Sequence, residues 1–179
     1  SATLQREWLE KSPETRTYLP DLTPISIPAQ DRRGVLWEGV EKKLEVYTGK
    51  VDDKALPKLI AERHAKANGA AGPTLVVVNR VDRAVAVFEG LQRLAKKELK
   101  GVELRLVHSR FRPRERAGWR EAFLNRVACA PGTNRIIVST QVVEAGVDLS
   151  AGLLITDLAP WPSLVQRFGR AARWGGAAE

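Results

Sequence analysis

The sequence predicts an α/β fold, a mostly parallel sheet with helices on both faces, from two patterns. Leu75-Val76-Val77-Val78 is a short continuous apolar run, as in a strand buried on both faces, and Leu104-Arg105-Leu106-Val107, Ile136-Ile137-Val138 and Leu153-Leu154-Ile155 read as three further strands. Between them stand longer segments whose apolar residues recur every three or four positions, as amphipathic helices require. Strands alternating with helices in this way close by right-handed crossovers, so neighbouring strands run parallel. In such sheets ligands gather beyond the carboxyl ends of the strands, here Asn79-Arg80, His108-Ser109-Arg110, Ser139-Thr140-Gln141 and Asp157.

Taken in order, residues 1–30 hold Pro13, Pro20, Pro24 and Pro28 without periodicity, the mark of a linker or approach segment. Leu44, Val46 and Tyr47 form a strand-like stretch. A helix is expected from about Lys54 to Asn68, with Leu56, Leu59, Ile60 and Ala67 on one side and His64 on its surface. Gly69-Ala70-Ala71-Gly72-Pro73 ends it. After the first buried strand, Asn79 is placed to cap a helix, with Asp82 near the positive end and Ala84, Phe88, Leu91 and Leu94 as its apolar stripe. Pro113 suits the first turn of the next helix. Ser163-Leu164-Val165-Gln166 has the form of a capping box, which starts the last helix at Leu164.

At 179 residues one core buries about 70% of the unfolded surface, and residues 31–179 read as one domain. No apolar run reaches the ~18 residues of a membrane span. The single cysteine, Cys129, excludes an internal disulfide and a Cys-rich zinc site, which points to a reducing, cytoplasmic setting. With no methionine, the chain reads as a piece excised from something longer.

The net charge is +8, and it is unevenly placed. Arg105, Arg110, Arg112, Arg114, Arg116, Arg120 and Arg126 crowd one stretch that holds only two acids, Glu115 and Glu121. A one-sided arginine cluster fits a polyanionic partner. It also fits a compositionally biased surface, so motifs must decide.

On a helix turning about 100° per residue, Gln166, Gly169, Arg170 and Arg173 fall within roughly 100°, opposite Leu164, Val165, Phe168, Ala171 and Ala172. One face would pack on the sheet while the other presents two guanidinium groups beside a glycine that permits close approach. Such groups suit a phosphate-charged transition state. Alone, the same residues also fit a capping Gln and solvated arginines. At the end of the third strand, Thr140 could hold a backbone phosphate, Gly146 permits a tight turn, and the Asp148 carboxylate could accept a hydrogen bond from a ribose hydroxyl. Taken alone, a cap and an ordinary turn explain these equally.

Together the segments carry a resemblance. Ser139-Thr140-(x5)-Gly146-x-Asp148, followed by Gln166-Arg167-x-Gly169-Arg170-(x2)-Arg173, resembles motifs V and VI of superfamily-two helicases. Val78-Asn79-Arg80-Val81-Asp82-Arg83-Ala84, His108-Ser109-Arg110-Phe111, Gln141 to Asp148 and Asp157-Leu158-Ala159-Pro160 are similar to the helicase lobes of the CRISPR-associated helicase–nuclease of type I systems. The resemblance implies a second RecA-like lobe. It makes Arg170 and Arg173 arginine fingers toward the ATP γ-phosphate, with Gln166 sensing nucleotide and Gly146 and Asp148 near the ribose. It lays Asn79, Arg80, Ser109, Arg110 and Thr140 along single-stranded DNA. Gln166 stands where DEAD-box proteins have His. Implied partners are a first RecA-like lobe and a His-Asp nuclease domain of the same protein, and the CRISPR RNA-guided surveillance complex. Implied cofactors are ATP and Mg²⁺, bound jointly with that first lobe.

What the sequence lacks shapes the expectation too. It has no Gly-x4-Gly-Lys-Ser/Thr loop and no Asp-Glu pair, and neither His64 nor His108 is followed by Asp. The reading is half of an ATPase site and no nuclease, inactive alone. The alternatives are the second lobe of an RNA or DNA-repair helicase, or a non-catalytic module of the same fold.

Overall fold

The structure, a computed structural model, describes residues 10–18, 27–49, 51–67, 69 and 71–178. In chain order it contains α1 (Pro13–Arg16), α2 (Val35–Glu38), β1 (Val40–Lys42), α3 (Leu56–Ala67), β2 (Thr74–Val77), α4 (Val81–Ala95) and β3 (Glu103–Val107). Then come α5 (Pro113–Arg116), α6 (Trp119–Phe123), β4 (Arg135–Ser139), β5 (Leu153–Thr156), α7 (Trp161–Phe168) and β6 (Gly176–Ala178). The four expected strands form one parallel sheet in the order β3-β4-β2-β5, in which Val76 aligns with Val138 and Ile155.

Both faces are covered over the central strands β2 and β4, which is why these read as continuous apolar runs, while the edge strand β3 alternates and exposes Arg105. Val76, Val78, Ile136 and Val138 point to one side and pack with Leu56 and Ile60 of α3 and Ala84, Val87 and Leu91 of α4. Leu75, Val77, Ile137 and Val107 point to the other and pack with Phe123, Leu124, Cys129, Val143 and Leu149. α3 and α4 approach closely at Gly90, where a Cβ would overlap the ring of Pro57. A small parallel ladder, β1 on β6, joins the early segment to the chain end, with Val40 opposite Gly176. No helix among the described residues is long and apolar enough to cross a membrane.

The structure corrects four local expectations. Leu44, Val46 and Tyr47 are exposed and lie outside any strand; the strand is Val40–Lys42, selected by its partner β6 rather than by apolar content. His64 is buried, not at the surface, with Nδ1 2.8 Å from Thr74 Oγ1 and Nε2 2.9 Å from Asn134 Oδ1. Because the Asn134 amide donates to Gly101 O, its oxygen faces the ring; Nε2 donates and Nδ1 accepts from the Thr74 hydroxyl. Asn79 does not cap α4; Arg80 occupies that position without a side-chain cap bond.

The fourth correction is α7. It begins at Trp161, with Pro160 at the cap and Pro162 in the first turn, where a missing N–H leaves no bond unmade. It ends at Phe168. The chain then turns so that Ala171 bridges Ala151 and Ala172 takes φ 43°, burying both alanines. Arg170 and Arg173 therefore lie beyond the helix, and the single helical face expected for them does not exist.

Candidate nucleotide cleft and nucleic-acid edge

Three arginines follow one another at intervals of three, and their surroundings sort them into different tasks. Arg167, on α7, is 1% exposed. Its Nε donates to Glu144 Oε1 at 2.8 Å, and its two terminal nitrogens donate to Thr156 Oγ1 and Asp157 O (2.9 and 3.1 Å) and to Asn79 Oδ1 (2.9 Å). It ties the ends of β2 and β5 to the loop after β4. Arg170, 5% exposed, donates to Val147 O and Glu144 O, both at 2.6 Å, and so clamps that same loop from below. Burial, with the like charge of Arg173 beside it, lowers its pKa from the usual arginine value.

Arg173 is different. Its side chain is 41% exposed, and its Nε meets Asp148 Oδ1 at 3.1 Å, on a carboxylate itself 56% exposed. An exposed pair of this kind contributes about 0–1 kcal/mol, so a ligand can exchange it at small cost. The Arg167–Glu144 pair, at 1% and 15% exposure, is held because separating it would leave a buried charge without compensation. Of the three, Arg173 is the cation available to a ligand.

Arg173 and Asp148 share an open cleft of about 490 Å³ with Val40, Lys42, Gly169, Ala172 and Trp174. Lys42 Nζ donates to Phe168 O at 3.0 Å, closing the carboxyl end of α7, and partial burial lowers its pKa. An ammonium has three donors, so Lys42 keeps capacity toward the cleft. Arg173 N donates to Ser150 Oγ at 2.8 Å, which places the cleft beside the approach to β5 rather than beyond the carboxyl ends of the strands. Gly146, in the same loop, needs its positive φ of 74°, and its carbonyl accepts from Arg120 at 3.1 Å. Gln166 is half-buried on α7.

The other predicted residues lie at the carboxyl ends. Arg80, Ser109 and Arg110 are exposed there, Arg80 in a surface pair with Asp82 at 2.7 Å. Asn79 is exposed yet engaged: its N–H donates to Asp157, its amide donates to Leu158 O at 2.7 Å, and its backbone carbonyl accepts from Gln141 at 3.2 Å. Thr140 is 1% exposed, and its N–H donates to Val107 O, so as placed it braces the end of β4. The predicted residues thus separate into a cleft and an edge. Cys129 is buried, and its thiol is pushed up to about 11, which removes it as a nucleophile. Among the described residues no cluster of His, Cys, Asp and Glu could hold a metal ion.

Sequence reasoning passed over Arg167, Glu144 and Lys42. Arg167 had a signal: at 100° per residue it sits next to Leu164 and Ala171, bordering the side that packs on the sheet. Lys42 had none, because only the β1–β6 pairing brings it to the cleft.

The family of the C-terminal region of the CRISPR-associated nuclease/helicase Cas3 matches residues 70–175. The CRISPR-associated endonuclease/helicase Cas3 of Escherichia coli K12 is 36% identical over 125 residues, which is 66% of this chain and 13% of that protein. The structure of T. fusca Cas3 with ATP superposes with a TM-score of 0.62 at 26% identity, covering 86% of this chain and 17% of the other. That protein was also solved with AMPPNP and with ADP. A chain of a CRISPR RNA-guided surveillance complex in a pre-nicking state gives 0.54 at 26% identity, over 75% of this chain and 16% of its own. S. cerevisiae Dbp5, at 14% identity and a TM-score of 0.52, shares the RecA-like fold alone. This chain, which spans under a fifth of those Cas3 relatives, belongs to the Cas3 family as a RecA-like C-terminal helicase lobe.

Proposed function

We propose that this lobe is the second motor lobe of an ATP-driven single-stranded-DNA translocase in CRISPR interference, working in the prokaryotic cytoplasm. The observation that carries the reading is the cleft in which a weakly held Arg173 stands beside Asp148, Gly169 and Lys42. Two cations suit phosphate oxygens, and a carboxylate suits a ribose hydroxyl, so the donor set fits a nucleoside triphosphate. Mg²⁺ would arrive with the triphosphate and be held jointly with the first lobe, since no cluster of three ligating side chains stands among the described residues. When bound between two lobes, ATP supplies a γ-phosphoryl group whose charge builds in the transition state.

Arg173 would exchange Asp148 for that charge as a facing first lobe closes. Arg170 would keep Asp148 and Gly146 in place through Glu144 O and Val147 O, and reach the phosphate itself only on leaving those carbonyls. Gln166 would sense the nucleotide from α7. Arg80, Ser109 and Arg110 would contact the strand, with Asn79 and Thr140 setting the backbone beneath them. The His-Asp nuclease domain and the RNA-guided surveillance complex are the partners this reading implies, from the names of the relatives.

An arginine finger contributes on the order of 10³–10⁵ in rate, or roughly 4–7 kcal/mol of barrier. In the full-length enzyme, Arg173→Ala should cut DNA-stimulated ATPase at least about a hundredfold with folding intact, and Arg173→Lys should not restore it. An enzyme indifferent to Arg173 would remove the finger assignment. The 179 residues alone should not hydrolyse ATP, and turnover from them would refute the half-site reading.

A further inference from the structure

Seven arginines lie between Arg105 and Arg126, and the proposed edge uses Arg110 alone. The structure sorts the rest. Arg105 pairs with Glu103 and sits 5.2 Å from the Phe123 ring centroid. Arg120 donates to Gly146 O, and Arg126 rests 5.3 Å from the Trp174 ring centroid. Arg112, Arg114 and Arg116 are exposed, and among the described residues no acid forms an ion pair with them. The acid in their midst is already engaged: Glu115 Oε2 accepts the Arg112 N–H at 2.7 Å.

The turn that carries them is braced on both sides. Phe111 stacks on His108 at the end of β3, with centroids 4.3 Å apart, and Trp119 meets Phe111 edge-on at 5.0 Å. Trp119 leans in turn on buried Phe123, 6.0 Å away. Pro113 presets φ at the start of α5. The backbone bearing three guanidinium groups is therefore ordered before any partner arrives, and binding loses little backbone entropy.

Resting on the reading of Ser109 and Arg110 as phosphate contacts, we infer that Arg112, Arg114 and Arg116 extend the single-strand phosphate track past the end of β3. Continuity with Arg110 favours nucleic acid as the occupant. So does composition: Arg112 to Gly118 contains no large apolar side chain to anchor a protein interface.

The test is single-stranded-DNA binding by the full-length protein across a salt series. Each phosphate contact contributes about −0.7 to the slope of log K against log salt on single strands, so Arg112→Ala/Arg114→Ala/Arg116→Ala should make it less negative by about 2. Between about 50 and 200 mM salt the variant should lose roughly twentyfold less affinity than the parent. The control removes equal charge at the far end of α4, Arg93→Ala/Lys96→Ala/Lys97→Ala, and should leave the slope unchanged. All six side chains are exposed, so folding should survive. An unchanged slope in the first triple, or equal shifts in both, overturns the inference. An unchanged slope with loss of binding to the surveillance complex overturns it in favour of a protein partner. A parent protein whose DNA binding ignores salt refutes the edge itself, and this extension with it.

Discussion

Arg167→Ala is the substitution that best separates a structural arginine from a functional one. The side chain is 1% exposed and gives up four hydrogen bonds, one of them to a Glu144 carboxylate only 15% exposed. Removing one partner of a buried pair costs about 3–5 kcal/mol, because the other charge stays behind without compensation. The three other acceptors lie where water reaches: Asn79 is exposed, and Thr156 and Asp157 are half-buried. They add little, and about 4 kcal/mol is expected in total. Against a whole-domain stability of about 5–15 kcal/mol, that is a quarter or more. Urea unfolding should show the loss in the midpoint with the slope unchanged, and Tm should fall by about 8–16 °C for a chain of this size. Arg167→Lys should lose less than the alanine variant, since it keeps the charge but not the fork. A double-mutant cycle with Glu144→Gln should show strong coupling. A loss below about 1 kcal/mol, or additive effects in the cycle, would refute the assignment of Arg167 as the hub.

Two other residues give checks by different routes. Lys42→Ala should raise KM for ATP about tenfold in the full-length enzyme, the effect of losing one charged hydrogen bond, with kcat little changed and Lys42→Arg restoring it; an unmoved KM would leave Lys42 as a helix cap only. His64 has a pKa held below its ordinary 6.5, first by burial and against that by the Asn134 bond, so the folded state keeps it neutral. The unfolded chain binds the proton first, so stability is full above about pH 6.5 and falls as pH drops below it, at no more than about 1.4 kcal/mol per pH unit. His108 is also lowered, by burial and by Arg110, so the measurement is the difference between the parent and His64→Gln, which should flatten only the His64 part. Identical pH profiles would contradict the buried, hydrogen-bonded placement.

The sequence alone determined the sheet. Apolar strand segments alternating with amphipathic helices bury their apolar surface and pair their backbone groups as a parallel sheet, and they appear as β2 to β5 within a residue of where the pattern puts them. The motif spacing was also legible, since the order of polar residues after the strand ends is written along the chain.

What the sequence could not decide was which arginine does what. Arg167, Arg170 and Arg173 recur at intervals of three; a helix extended through them turns Arg167 toward the sheet but leaves Arg170 and Arg173 alike. The helix stops at Phe168 because Ala171 pairs with Ala151, twenty residues earlier, and because Lys42 closes the end from a strand more than a hundred residues away. Those contacts bury Arg167 and Arg170 and leave Arg173 at the surface. Burial sets the cost of removing an ion's partner, and burial is a property of packing between distant segments. For the same reason His64, Lys42 and Glu144 took their roles only when the tertiary structure brought Thr74, Phe168 and Arg167 to them.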